Sequence, residues 1–303
     1  MVSPTHEKED DDDEDVDLNP LNILQDDDDD DDDQKEEEVT EAAAAAEEEG
    51  RNPSGGYKQQ QQQHYLQSID SSVVIRQLPS QGLSFQLWPA ATTLMNLLDH
   101  HHYHQSNNNN DNITKPLSQI FDHLPCRPLR ILELGSGTGL AGIAAAAIIG
   151  SSCSVTLTDL PHVLQNLHFN TAANSSMLAL RGASVNVAAL RWGEMDDMES
   201  IGRDFDIILG SDVVYYDHLY DPLLQTIRFF VGGGGEDNSQ GAVFLMAHLR
   251  RWKKDSVFFR KARKLFNVQM IHSDPPAPGS RIGVVVYCFS RKGLMSESET
   301  SNP

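Results

Sequence analysis

The chain has 303 residues, with 45 Asp or Glu against 23 Lys or Arg, a formal charge of −22. Residues 1–50 hold 24 of the acids and two bases, Lys8 and Lys35, so the excess sits there and the other 253 residues balance at 21 acids and 21 bases. No run of 18 or more apolar residues occurs, which argues against a membrane-spanning helix, and the acidic N-terminus lacks the apolar stretch of a secretory signal. Cys126, Cys153 and Cys288 have no metal-like spacing, which argues against a disulfide framework and a zinc site and for a reducing compartment, cytoplasm or nucleus. The balanced remainder gives no footing for a phosphate-backbone binder.

In chain order, residues 1–68 are expected to be a disordered acidic and Gln-rich tail. Asp26–Asp33 is a run of aspartates, Glu and Ala blocks follow, and Gln59–Gln63 is a glutamine run. Such segments repel themselves and bury too little apolar surface to offset chain entropy. Residues 69–292 suit one domain, and residues 293–303 a second disordered tail. Ser71–Leu78 and Gly82–Trp88 alternate as a two-strand ribbon. Pro89 suits a first helical position and opens a helix through about His102. Gln105–Asn112, with four consecutive Asn, reads as a loop. His100, His101, His102 and His104 read as a solvated helix end rather than a metal site, since the surrounding sequence offers no carboxylate or thiol partner.

From Leu129 onward, short apolar runs alternate with helical stretches. Strands are expected at Leu129–Leu134, Ser154–Thr158, Ser184–Ala189, Asp206–Leu209, Ala242–Ala247, Val268–Ile271 and Gly283–Phe289. Helices are expected at Thr138–Ile149, Pro161–Ala173, Leu219–Phe230 and Asp255–Phe266. That alternation gives an α/β fold, a parallel sheet covered by helices on both faces.

Leu132-Glu-Leu-Gly-Ser-Gly-Thr-Gly139 sits where the first of these strands turns into a helix. Glycines there let the backbone approach a ligand, and the helix N-terminus offers unpaired N–H groups. Asp159 stands twenty residues beyond Gly139, at the end of the next strand, where a carboxylate can accept both hydroxyls of a ribose. Gly137-Thr-Gly-Leu-Ala-Gly142 also satisfies the dinucleotide fingerprint, but there the first glycine follows the strand directly, whereas Gly135 and Ser136 intervene here. The frame that fits the strand end is Glu133-x-Gly135-x-Gly137-x-Gly139. It suits a ligand without a pyrophosphate whose ammonium end uses the Glu133 carboxylate, which favours S-adenosylmethionine over a nicotinamide dinucleotide.

With Leu87-Trp-Pro-Ala-Ala91, Leu190-Arg-Trp-Gly193 and Gly210-Ser-Asp-Val-Val-Tyr215, the glycine loop makes four motifs in order. Over roughly Val73 to Arg291 the chain resembles the class I, seven-β-strand methyltransferases, and more narrowly methyltransferase family 16. The resemblance implies a Rossmann-like, seven-stranded, mostly parallel sheet. It implies S-adenosylmethionine as cofactor, held by Glu133, Gly135, Ser136, Gly137, Asp159 and Ser211, with Trp88 as a wall near the methionine end. Trp192 follows the third of the strands, where its ring can stack on adenine or line its pocket. Asp212 and Tyr215 resemble the D-x-x-Y motif of lysine-methylating members, which places Asp212 near the incoming amine, with Tyr215 narrowing its channel. Buried packing for either Trp, and a helix cap for Asp212, are the plainer alternatives.

The expected activity is methyl transfer to a lysine of a protein substrate, with chaperones and translation factors as the classes the resemblance suggests. No nucleic-acid or membrane partner is expected. Methylation of an arginine, a histidine or a small molecule is the first alternative, and a cofactor-binding protein without turnover the second. Arg250 to Lys264 carries eight bases, read as a solvated helix face or as a rim for an acidic protein.

Overall fold

Leu129–Leu134 is apolar except at Arg130 and Glu133, the composition of a strand covered on both faces, and it lies in the interior of the main sheet with a strand on each side. A computed structural model describes residues 60–106, 113–125, 127–232, 241–276 and 282–292. Residues 1–59 of the tail expected at 1–68, the tail expected at 293–303, residues 107–112 of the loop expected at 105–112, and Cys126 lie outside these.

The main sheet contains β3 (Leu129–Leu134), β4 (Cys153–Asp159), β5 (Ser184–Ala189), β6 (Ile207–Ser211), β7 (Val243–His248), β8 (Phe266–Ser273) and β9 (Val285–Arg291). Its order is β5-β4-β3-β6-β7-β9-β8. The first five run parallel, and β9 is antiparallel to both neighbours. The chain steps outward from β3 through β4 to β5, then returns to β6 on the other side. The carboxyl ends of β3 and β6 therefore diverge and leave a crevice at the switch point.

Helix α1 (Pro89–Ser106), α2 (Lys115–Asp122), α3 (Leu140–Ile149) and α4 (Leu164–Ala173) are followed by α5 (Ser175–Arg181), α6 (Met195–Ile201), α7 (Tyr220–Val231) and α8 (Asp255–Leu265). Helix α3 is apolar all round and buried from Leu140 to Ile148, so it lies inside the core; it packs on α1 and β4. Helices α7 and α8 each bury one stripe, with Phe230, Phe258 and Phe259 among the largest core side chains.

The seven strands agree with the expected ones to within two residues at every end. The short helices α2, α5 and α6 were not expected, because seven or eight residues span only two turns and leave little apolar periodicity to read. His101 is buried and stacks on Phe121 with ring centroids 5.0 Å apart, so the solvated helix end was wrong for that side chain; α2 covers it.

The ribbon differs from expectation. Ser71–Gln77 (β2) is a strand, but its partner is β1, Gln60–Leu66, which the sequence assigned to the tail. Gly82–Trp88 holds no strand: 3₁₀ turns at Pro79–Gln81 and Leu83–Phe85 replace it, broken by Gly82 at φ 113°. Only Leu66 of β1 is fully buried, so backbone pairing rather than apolar alternation makes it a strand. The free side of β2 is met by three asparagines one turn apart. Val74 N–H donates to Asn174 and Arg76 N–H to Asn170, at 2.9 and 2.8 Å, and the two amides donate back to the same residues' carbonyls. Asn166 accepts from Arg76 Nε at 2.9 Å.

Candidate active site

The glycine loop leaves the end of β3 with Gly135, Gly137 and Gly139 at φ 58°, 53° and 83°, a left-handed backbone that other residues rarely adopt. A side chain is also excluded by contact. A Cβ at Gly135 would stand 2.9 Å from the Trp192 ring, and one at Gly137 3.1 Å from the Ser84 carbonyl oxygen. Ser136 Oγ accepts from Thr158 N–H at 3.0 Å, Ser136 N–H donates to the Thr158 carbonyl at 2.9 Å, and Thr158 Oγ1 donates to the Glu133 carbonyl at 2.6 Å. The loop is thus sewn to the end of β4.

Two carboxylates flank it. Asp159 accepts from Gly137 N–H at 2.7 Å and from Leu160 N–H at 2.7 Å. Burial raises its pKa above the usual carboxylate range, against the pull of those two amides. Glu133 is 1% exposed, and its Oε2 accepts from Gly142 N–H in the first turn of α3 at 3.1 Å. Burial pushes its pKa up to about 8. Its Oε2 is thus engaged by the first turn of α3. Gly142 is required for this: a Cβ there would lie 2.6 Å from Glu133 Oε2. Asn170 extends the same unit, donating to the carbonyl of Thr138 at 2.8 Å as well as to β2.

Trp88, Trp192, Ser211, Asp212 and Tyr215 all lie around the crevice. Trp88 is half-buried and donates through Nε1 to the Leu83 carbonyl at 3.0 Å, which fixes the turn that sets Ser84 over Gly137. Trp192 meets Tyr215 edge-on, with centroids 6.5 Å apart. Burial, and then the charge of Asp159, push the Tyr215 phenol up to about 12, so it stays protonated at neutral pH. Ser211 is the half-buried last residue of β6.

Asp212 is not a helix cap. It has φ 53°, and its N–H donates to the Ala247 carbonyl at 3.0 Å. Its side chain is 3% exposed; Oδ1 accepts from Leu249 N–H and Oδ2 from Arg251 Nη2, each at 3.0 Å. Behind it stands His248, 2% exposed, with Nδ1 3.7 Å from Asp212 Oδ1 and Nε2 3.3 Å from Asp255 Oδ2. Tyr220 Oη donates to Asp255 Oδ1 at 3.3 Å. His248 and Asn170 lie in no motif of the sequence, and Arg251 and Asp255 read there only as members of a basic run and a helix start. The sole signal was an acid at residue 255 amid the run's bases.

The residues at the loop fit S-adenosylmethionine by their charge. The Asp159 carboxylate beside the loop suits a cationic ligand and opposes a pyrophosphate, and Glu133–Gly139 contains no basic side chain to pair with one. A family model described as lysine methyltransferase matches residues 67–265, about two thirds of the chain. The chain belongs to that family. It is similar to Protein N-lysine methyltransferase METTL21A of Danio rerio, at 36% identity over 48% of this chain and 61% of the relative. It is also similar to EEF1A lysine methyltransferase 3 of Xenopus tropicalis, at 36% identity over 43% of this chain and 52% of that one. The chain thus spans roughly half to three fifths of the length of these relatives. The family's methyl donor is the one the loop's charge suits.

Proposed function

We propose that this protein is an S-adenosylmethionine-dependent methyltransferase acting on a lysine side chain of another protein. One observation carries the reading: a paired glycine loop and acidic strand end, the cofactor half, stand beside an Asp212–Tyr215 motif at the same switch point. Gly135, Ser136, Gly137, Asp159 and Trp192 would hold the cofactor, with Trp88 and Ser211 closing its methionine side. When bound, the cofactor supplies a methyl group on a sulfonium, already a good leaving group. What remains for the protein is alignment and exclusion of water.

Asp212 orients the target amine through a hydrogen bond, and Tyr215, protonated, walls its approach. Glu133, buried against α3, holds the loop's shape through its contact with Gly142 N–H. The protein substrate is of the chaperone or translation-factor class, and EEF1A, for which one similar protein is named, is the first to try. The compartment is the cytoplasm or nucleus. The buried free thiols of Cys153 and Cys288, pushed up to about 11 and about 12, suit a chain that does not depend on disulfides.

The test is transfer of a labelled methyl group from S-adenosylmethionine to purified EEF1A and to fractionated lysate proteins, with mass spectrometry of the labelled bands. Methyllysine in a protein band supports the reading. Label on arginine or histidine, or only in the small-molecule fraction, overturns its lysine or protein half.

A further inference from the structure

Asp212 would stand beside the target amine, yet a lone carboxylate is a poor neighbour for a nucleophile that must be unprotonated. It stabilises the ammonium form. The structure shows that Asp212 is not alone. Arg251, 39 residues away in sequence, reaches it with Nη2 at 3.0 Å from Oδ2, and its guanidinium carbon lies 5.1 Å from the centre of the Trp88 ring. Arg251 is itself held: its N–H donates to Asp255 Oδ2 and its Nη1 to the Leu249 carbonyl, each at 3.3 Å. The guanidinium therefore bridges Trp88, on the cofactor side of the crevice, and Asp212, on the amine side.

We propose that Arg251 is a positioning residue for methyl transfer: it neutralises Asp212 while leaving that carboxylate able to accept from the substrate, and so keeps the target lysine amine unprotonated. This rests on the lysine methyltransferase reading above. A carboxylate has about four acceptor sites. Asp212 uses two, for Leu249 and Arg251, so capacity remains to orient an amine. The other groups facing this pair are His248 on β7, Asp255 on α8, itself bonded to Tyr220 of α7, and the uncharged Trp88 ring ahead of α1. Arg251 is the charged side chain among them that meets Asp212 directly and is partly open to solvent, at 30% exposure. A fixed cation there opposes a second cation on the incoming side chain. The ammonium releases its proton to solvent; the nitrogen lone pair then forms the N–C bond as the electron pair of the C–S bond returns to sulfur.

The experiment compares the pH–rate profiles of the full chain, Arg251→Gln and Arg251→Lys on one lysine-bearing protein substrate, with cofactor affinity by calorimetry alongside. In Arg251→Gln the rising limb should move to alkaline pH by about one unit, roughly a tenfold loss at neutral pH that recovers at high pH. Arg251→Lys, which keeps the charge, should restore most of the wild-type profile. An equal loss at every pH, an acid shift, or an unmoved profile overturns the role.

Should Arg251→Gln fold poorly, Arg251→Lys alone is compared with the wild type on a substrate carrying γ-thialysine, whose amine is less basic. The proposal expects Arg251→Lys to respond to that replacement as the wild type does, and a different response overturns it. The wild-type arm separates the Arg251 role from the lysine methyltransferase activity it rests on. An active wild type beside an unmoved Arg251→Gln profile sinks the Arg251 role and leaves the lysine reading intact. A wild type that methylates no lysine sinks both.

Discussion

The backbone amide of Gly137 donates to Oδ2 of Asp159 at 2.7 Å, so the glycine loop after β3 and the acid ending β4 form one hydrogen-bonded unit. Asp159 has a second role in the same place, since its other oxygen takes Leu160 N–H. Removing the carboxylate would leave two amides without partners and release the loop from β4.

Asp159→Ala is therefore expected to weaken S-adenosylmethionine binding by at least tenfold. Asp159→Asn, which keeps an acceptor, should weaken it less. Isothermal calorimetry with each variant checks this; equal affinity in Asp159→Ala and wild type would mean the carboxylate serves the loop alone.

Glu133 makes stability depend on pH. Its folded-state pKa of about 8 lies above the ordinary 4.5, so between these values the folded chain holds a proton that the unfolded chain releases. Stability is consequently lost as pH rises through that window. Glu133→Gln lacks the ionisation and should gain on the wild type by roughly 2 kcal/mol between pH 6 and pH 8. Urea unfolding at the two pH values measures it, and a constant difference would contradict the assignment.

Asn170 spans β2 and the glycine loop by accepting from Arg76 N–H and donating to the carbonyls of Arg76 and Thr138. It is fully buried. Asn170→Ala should cost about 2–4 kcal/mol of stability, because it leaves buried backbone groups unsatisfied. It should also weaken cofactor binding several-fold, since Thr138 adjoins Gly137. Thermal unfolding and calorimetry together distinguish this from a purely structural loss, in which affinity at low temperature would be unchanged.

The central sheet was legible because strands buried on both faces must be apolar, and Leu129–Leu134 or Ile207–Leu209 can be little else. The glycine loop was legible because positive φ at three alternating positions selects glycine. Strand β1 was not, since Gln60–Gln63 carries no apolar alternation and is held by pairing with residues 74–77. Nor was the Asp212–Arg251 pair. It depends on β6 and β7 lying side by side, which brings residue 249 to residue 212, and no local pattern announces that. Asn166, Asn170 and Asn174 did stand at helical spacing in the sequence, but their partner is the free side of β2, a backbone edge that no side-chain pattern marks.

The most direct test is Asp212→Ala in the methyl-transfer assay, with cofactor affinity measured on the same preparation. Transfer to the protein lysine should fall by orders of magnitude while S-adenosylmethionine affinity stays within a few-fold of wild type. Transfer that persists, or affinity and transfer lost together, would contradict the assignment of Asp212 to the amine.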